Sequence, residues 1–157
     1  MAARGRRQPQ SLRARAIALL ARREHSRAEL GIKLRRSLTD ADDPAEVEQV
    51  LDDLERGKLL SDERYAGALT RTRSTRFGDA RVRFDLKSAG VAAETVDRAV
   101  ASLAGTEFER ARVIWLRRFG EPPRTPQERG RQARFLQARG FSTETIRRLL
   151  RGLPDDD

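Results

Sequence analysis

Cysteine is absent from this 157-residue chain, and histidine, methionine, tryptophan and tyrosine occur once each. Without a thiol there can be no disulfide and no thiolate chemistry. Without a histidine or cysteine cluster there is nothing to hold zinc in its usual ligand set or to activate a nucleophile. The one histidine, His25, falls in a connection between two helical patterns and is expected at the surface. No apolar run approaches the roughly 20 residues that a membrane-spanning helix requires. The 11 glycines all stand singly, so there is no Gly-rich loop to cradle a phosphate. Neighbouring carboxylates such as Asp52 and Asp53, or Asp62 and Glu63, lie on helical segments or helix starts and read as solvated or capping groups, not as an acid–base pair. These absences leave no catalytic residue, no metal site and no cofactor, and the chain is read as a non-enzyme. Aromatic residues are scarce too, at 5%. Phe108, Trp115 and Phe119 share helical spacing with Ala111, and Tyr65 pairs similarly with Leu69, so they are assigned to cores and none is needed for base stacking.

Charge is abundant instead. Charged residues make up 36% of the chain, with 33 basic side chains against 24 acidic ones, a net charge of +9 and a pI of about 11.2. Thirty of the 33 basic residues are arginine, a bias that a GC-rich genome would produce without any partner. The net excess is the informative quantity, and it favours a polyanionic partner, nucleic acid or nucleoprotein. The first 23 residues carry seven arginines and no acidic residue, which resembles a transit peptide. They run directly into a helical pattern, however, and a cytoplasmic protein is the simpler expectation. Residues 1–10 read as a mobile basic arm and residues 154–157 as a short acidic tail.

The apolar residues are periodic. Val47, Val50, Leu51 and Leu54 form a ladder at i, i+3, i+4, i+7, one face of an α-helix. Val96, Ala99, Val100 and Leu103 repeat it, and so do Ile146, Leu149, Leu150 and Leu153. The copies are 49 and 50 residues apart, a period that predicts a tandem array. Leu86 and Leu136 both precede their ladder by ten residues, and Gly90 and Gly140 by six. The first copy departs here, with Ala41 at the glycine position inside a longer, acidic connection.

Start and stop signals divide the array further. Capping boxes are predicted at Ser26–Glu29, Thr106–Glu109 and Thr125–Glu128, with Asp43 capping in the same way and Ser61 and Ser142 opening two more helices. Gly57, Gly78, Gly90, Gly105, Gly120 and Gly140 fall where left-handed C-terminal caps are expected. The prediction is an all-α fold of about nine helices near 12–24, 27–37, 44–56, 62–75, 79–89, 93–104, 107–119, 126–139 and 143–152. They form an elongated, curved array of three three-helix repeats at 11–58, 59–105 and 106–153. Such arrays present a long surface to a partner.

One corner concentrates cations. Arg71, Arg73, Arg76, Arg81 and Arg83 surround Phe77 and Gly78 where one helix ends and the next begins. Guanidinium groups there could grip phosphates or carboxylates bidentately. The plain alternative is a solvated face with Phe77 as a local plug.

Ser61-Asp62-Glu63-Arg64-Tyr65-Ala66, the basic helix after it, Arg76-Phe77-Gly78, and Arg81-Val82 with Leu86 and Gly90 together resemble the RecX family of recombination regulators. The earlier Leu19-Leu20-Ala21-Arg22-Arg23-Glu24-His25-Ser26, with Glu29 and Leu30, looks like that family's opening module. The resemblance runs over roughly residues 12–152 and is most specific in the central module. The third module rests mainly on its ladder and Gly140. The resemblance implies three three-helix repeats that bind RecA and the RecA–single-stranded-DNA filament, in its groove, inhibiting filament extension, ATPase and strand exchange. It also implies a cytoplasmic protein without catalytic residues or cofactor. The expected contact patch is Arg71, Arg73, Arg76, Phe77, Arg81 and Arg83, flanked by Arg35, Arg36, Arg131 and Arg134. Weak direct DNA binding, no membrane partner and a monomeric state complete the expectation. The competing reading is a direct DNA-binding protein of helix-turn-helix type, which Glu46, Glu48, Asp52, Asp53 and Glu55 on the third helix oppose by repelling phosphate.

Overall fold

A computed structural model describes residues 9–151. Most of the expected basic arm, the acidic tail and Leu153 of the third ladder lie outside the described residues. Among those residues the fold is all-α, with nine helices and no strand: α1 (Leu12–Arg22), α2 (Arg27–Arg36), α3 (Glu46–Arg56), α4 (Asp62–Ser74), α5 (Asp79–Ser88), α6 (Ala93–Ala101), α7 (Glu107–Arg118), α8 (Pro126–Ala138) and α9 (Thr143–Arg151). No described helix is long and apolar enough to cross a membrane. Two compact units divide the chain, Met1–Asp62 and Glu63–Asp157.

In the first unit α1, α2 and α3 pack on one another around Leu12, Ala16, Leu30, Leu34, Val47, Leu51, Leu54 and Leu60. Ser26 caps α2 through a hydrogen bond from Glu29 N–H (3.1 Å), while the Glu29 carboxylate accepts from Arg23. The start expected at Asp43 moves to Glu46, because Asp43 Oδ1 accepts the Ala45 N–H in a preceding turn and Ala45 becomes the cap. The longer acidic connection is organised by one guanidinium. Arg15 donates to Ser37 O (2.7 Å), Ser37 Oγ (3.0 Å) and Asp42 Oδ1 (2.6 Å), which holds the Asp42 carboxyl down at about 2.

His25 is a correction. It is 1% exposed, not a surface residue. Its Nδ1 lies 3.0 Å from Arg23 O and its Nε2 lies 2.9 Å from Lys33 Nζ. A carbonyl can only accept and an ammonium can only donate, so the pair selects the neutral Nδ1–H tautomer. Burial lowers the pKa below the ordinary 6.5, and the nearby arginine and lysine charges act in the same direction.

The second unit holds two cores. Tyr65, Ala66, Val82, Leu86, Val91 and Val96 form one. Ala111, Ile114, Trp115, Leu136, Phe141, Ile146, Leu149 and Leu150 form the other, where Trp115 Nε1–H donates to Gln132 Oε1 at 2.8 Å. The two copies of the Leu–Gly pattern are geometrically equivalent. Gly90 and Gly140 adopt φ of 77° and 85°, and Val91 and Phe141 each return an N–H to the leucine carbonyl five residues back at 3.2 Å. Both leucines are fully buried. Two expected stops differ. Lys58, not Gly57, takes the left-handed conformation after α3 (φ 59°), and Gly78 caps the start of α5 in an extended conformation. At Thr106 the predicted capping box does not form: the hydroxyl donates to Leu103 O and accepts from Arg110 Nε.

Candidate functional site

The arginine-rich corner between α4 and α5 begins with a helix that stops itself. Thr75 Oγ1 donates back to Thr72 O (2.9 Å), local competition for backbone carbonyls that weakens a helix end. The chain then turns through Gly78, whose N–H donates to Arg139 O (2.8 Å), while Ala80 N–H donates to Gly140 O (3.3 Å). A Cβ on Gly78 would collide with the Gly140 carbonyl, and one on Gly140 would lie 2.6 Å from Arg81 Cβ. The second repeat's corner is therefore pressed directly onto the third repeat's α8–α9 corner. Arg110 of α7 locks it, donating to Ser74 O (3.1 Å) and Phe77 O (2.7 Å) and pairing with Asp79. Burial raises the Asp79 carboxyl pKa, against the opposing pull of Arg110.

Phe77 is half-buried and serves as a platform. The Arg81, Arg139 and Arg73 guanidiniums lie 4.8, 5.5 and 5.7 Å from its ring centre. Three of the five corner arginines also meet acids. Arg81 and Arg73 approach Asp85 at 3.1 and 3.6 Å, and Arg83 pairs with Asp97 at 2.5 Å. Arg71 and Arg76 are exposed and form no ion pair among the described residues. The corner thus separates into arginines that build it and two that face outward uncompensated.

The flanking candidates are distributed differently from the corner set. In the first unit Arg35 pairs with Glu48 at 2.5 Å, and Arg27 joins Glu48, Asp52 and Glu55, so this helix pair neutralises itself. The Glu48 pKa is lowered by its bonds to Arg27 and Arg35. Arg36 is exposed and unpaired among the described residues. In the second unit Arg131 and Arg134 line a hollow with Arg118, Phe119 and Phe135. A neighbouring hollow shares Arg118 and Phe135 and adds Arg76, Arg117 and Arg139.

Sequence reasoning missed Arg117, Arg118 and Arg139. Arg117-Arg118 closing α7, and Arg131 with Arg134 one turn apart on α8, were the available signals. Their convergence depends on how α7 and α8 pack. Phe119 and Phe135 meet edge-to-face at 5.3 Å, with Arg118 over both rings (5.4 and 5.6 Å) and Arg139 over Phe135 (5.1 Å). Neither hollow is lined by a carboxylate. No group of three or more histidine or acidic side chains that could hold a metal occurs among the described residues.

Charge is divided unevenly. Residues 1–62 contain 13 basic and 11 acidic side chains, a net of +2, whereas residues 63–157 contain 20 and 13, a net of +7.

Comparison with known proteins places this geometry in context. Residues 61–100 match the family description "RecX, second three-helix domain" and residues 106–150 match "RecX, third three-helix domain". The chain is 50% identical over 141 residues to a regulatory protein RecX from Leptothrix cholodnii, covering 90% of this chain and 88% of that one. It is 43% identical over 146 residues to a regulatory protein RecX from Ralstonia nicotianae, covering 93% and 90%. Its fold is similar to the crystal structure of RecX from Lactobacillus salivarius, with a TM-score of 0.75 at 18% identity over 90% of this chain and 94% of that one.

Proposed function

This chain belongs to the RecX family, and from that premise we propose that it regulates the RecA recombinase by binding RecA and the RecA–single-stranded-DNA filament. It lies in the filament groove and inhibits filament extension, ATPase and strand exchange, acting in the cytoplasm as a monomer without a cofactor. Three modules at 11–58, 59–105 and 106–153 meet successive positions of a repeating target, and linked modest contacts gain avidity when their spacing fits.

The observation that carries this reading is the α4–α5 corner itself, which falls inside the matched second three-helix domain. Arg71 and Arg76 are the outward contacts. Arg73, Arg81, Arg83 and Phe77 build the corner that carries them, and Arg35 and Arg36 in the first unit and Arg131 and Arg134 in the second are further contacts. Arg73, Arg81 and Arg139, already pinned over the Phe77 ring, lose less freedom on meeting an anion held at the corner than solvated guanidiniums would.

A DNA-dependent RecA ATPase assay tests the proposal. Hydrolysis should fall as the chain is added, and the inhibition should weaken when Arg71 and Arg76 are both changed to Glu. Unchanged hydrolysis across a wide concentration range would reject RecA regulation. Full inhibition by the folded double variant would reject the corner assignment.

A further inference from the structure

The second repeat stands open where the other two are closed. α1 packs along α3 and α7 along α9, but α4 and α6 make no such close approach. The gap between them is a hollow of about 480 Å³, within the range of small-molecule sites, roughly 300–1,000 Å³. Its cause is visible in the third repeat. Thr70 is the ninth residue of α4 and Trp115 the ninth of α7, and each is 3% exposed. Ala99 and Leu149 hold the same rung of their ladders, and Val82 and Gln132 are related by the same 50-residue step. In the third repeat Trp115 and Leu149 share one core, and the indole N–H donates to Gln132. In the second repeat a threonine, an alanine and a valine stand in those places. We propose that this hollow is a binding site for a small aromatic carboxylate whose ring bears an N–H or O–H, the ring taking the space that Trp115 fills in the third repeat.

Three observations select that ligand. First, Thr70 lines the hollow, and its hydroxyl is buried without a hydrogen-bond partner among the described residues. The serine hydroxyls near it are occupied, Ser74 donating to Arg71 O and Ser102 to Ala99 O. A buried hydroxyl left unpaired is costly, and since it both donates and accepts, a ring N–H or O–H satisfies it. A slight parting of two helices that do not pack on one another brings it into reach. Second, Ala66, Gly67, Ala99 and Leu103 give the hollow apolar walls of small relief, which suit a planar ring. Third, charge at the mouth is unbalanced. Arg98 pairs with Glu63 at 2.8 Å, which leaves Arg71 exposed and without an ion pair among the described residues. One Arg71 guanidinium nitrogen lies 3.4 Å from where a Gly67 side chain would begin, so the cation sits beside the opening, placed for a carboxylate. A ring with one anionic tail meets all three conditions, whereas a polyanion meets only the last.

Titration of the full chain with indole-3-acetate, followed by amide proton and nitrogen chemical shifts without RecA or nucleic acid, tests the site. Saturable shifts confined to α4 and α6 are expected, with a Kd of about a millimolar for a ligand of so few atoms, while the Trp115 indole signal stays in place. Thr70→Trp restores the third repeat's residue, fills the hollow and should abolish the shifts. If circular dichroism shows that this variant does not fold, two milder changes carry the test. Thr70→Val keeps the shape, removes an unpaired buried group without harm to the fold, and should weaken binding about three- to tenfold. Arg71→Gln should weaken indole-3-acetate about as much yet leave indole itself unchanged, which separates the carboxylate contact from the ring contact. No saturable shift, shifts spread over all three repeats, or unaltered affinity in the folded variants overturns the proposal. So does a much tighter complex with a tryptophan-containing acidic peptide, which would make the hollow a docking point for a protein segment. Because RecA is absent, failure here is separate from failure of the regulatory reading, which the ATPase assay tests.

Discussion

The ring of His25 is held between a carbonyl and an ammonium, an environment in which only the neutral imidazole is satisfied. Protonation would turn the Nε2 acceptor into a second cation facing Lys33 at 2.9 Å. The folded-state pKa therefore lies below the unfolded 6.5. Above pH 6.5 neither state is protonated there and the contribution is complete; as pH falls from 6.5 through the folded pKa, the unfolded chain takes up the proton first and stability is lost. The urea midpoint should decline over this interval, and His25→Gln should flatten the decline whatever it does to the absolute midpoint. An identical slope in the variant would rule the ring out as its source. A lone histidine between helical patterns gives no hint of this, because its burial depends on a lysine two turns into α2 and on the path of the preceding backbone.

At the scale of helices, element positions were legible because 3.6-residue periodicity is local, while the use made of each cap was not. Ser26 and Thr125 cap as their spacing predicts, each accepting the N–H three residues on at 3.1 Å. Thr106 carries the same signal, but Arg110 occupies its hydroxyl and α7 starts without it. Glu107 is likewise taken by Ser142 N–H and Thr145 Oγ1–H, both at 3.1 Å. Side chains near a helix start choose among partners that only the tertiary fold supplies. Arg110 is the clearest case, since no sequence pattern marks it and it joins α7 to the end of α4, the Phe77 carbonyl and Asp79. Removing it strands two carbonyls and a partly buried carboxylate. Breaking a fully buried pair costs about 3–5 kcal/mol, and the side-chain exposures of 15% and 30% reduce that toward about 2 kcal/mol for Arg110→Ala. Arg110→Lys should recover only part of the loss, because one ammonium cannot reproduce a planar fork serving four acceptors, the Thr106 hydroxyl among them. Chemical denaturation of the three proteins checks the order, and full rescue by lysine would refute the fork.

Over the whole molecule, the excess of cations and its place along the chain are countable in the sequence, while the boundary that assigns it to one compact unit comes from the packing. The first unit carries a net of only +2 over residues 1–62, with Arg27 and Arg35 committed to the acids of α3, and the second unit carries a net of +7 over residues 63–157. A partner attracted by net charge alone would respond to any lost arginine, since long-range steering depends on the summed field. A partner gripped by particular guanidiniums would not. Two charge-matched variants separate these cases. Changing Arg13 and Arg22 of α1 to Glu, or Arg131 and Arg134 of α8, takes the net charge from +9 to +5 in either case, because each reversal removes two units. All four side chains are exposed and unpaired among the described residues, so stability should change little in either variant. Inhibition of RecA ATPase should shift by about tenfold in concentration, about 1.4 kcal/mol, for the α8 pair and by less than about twofold for the α1 pair. Equal shifts would mean that the filament senses only the summed charge, and the division of labour between the two units would have to be abandoned.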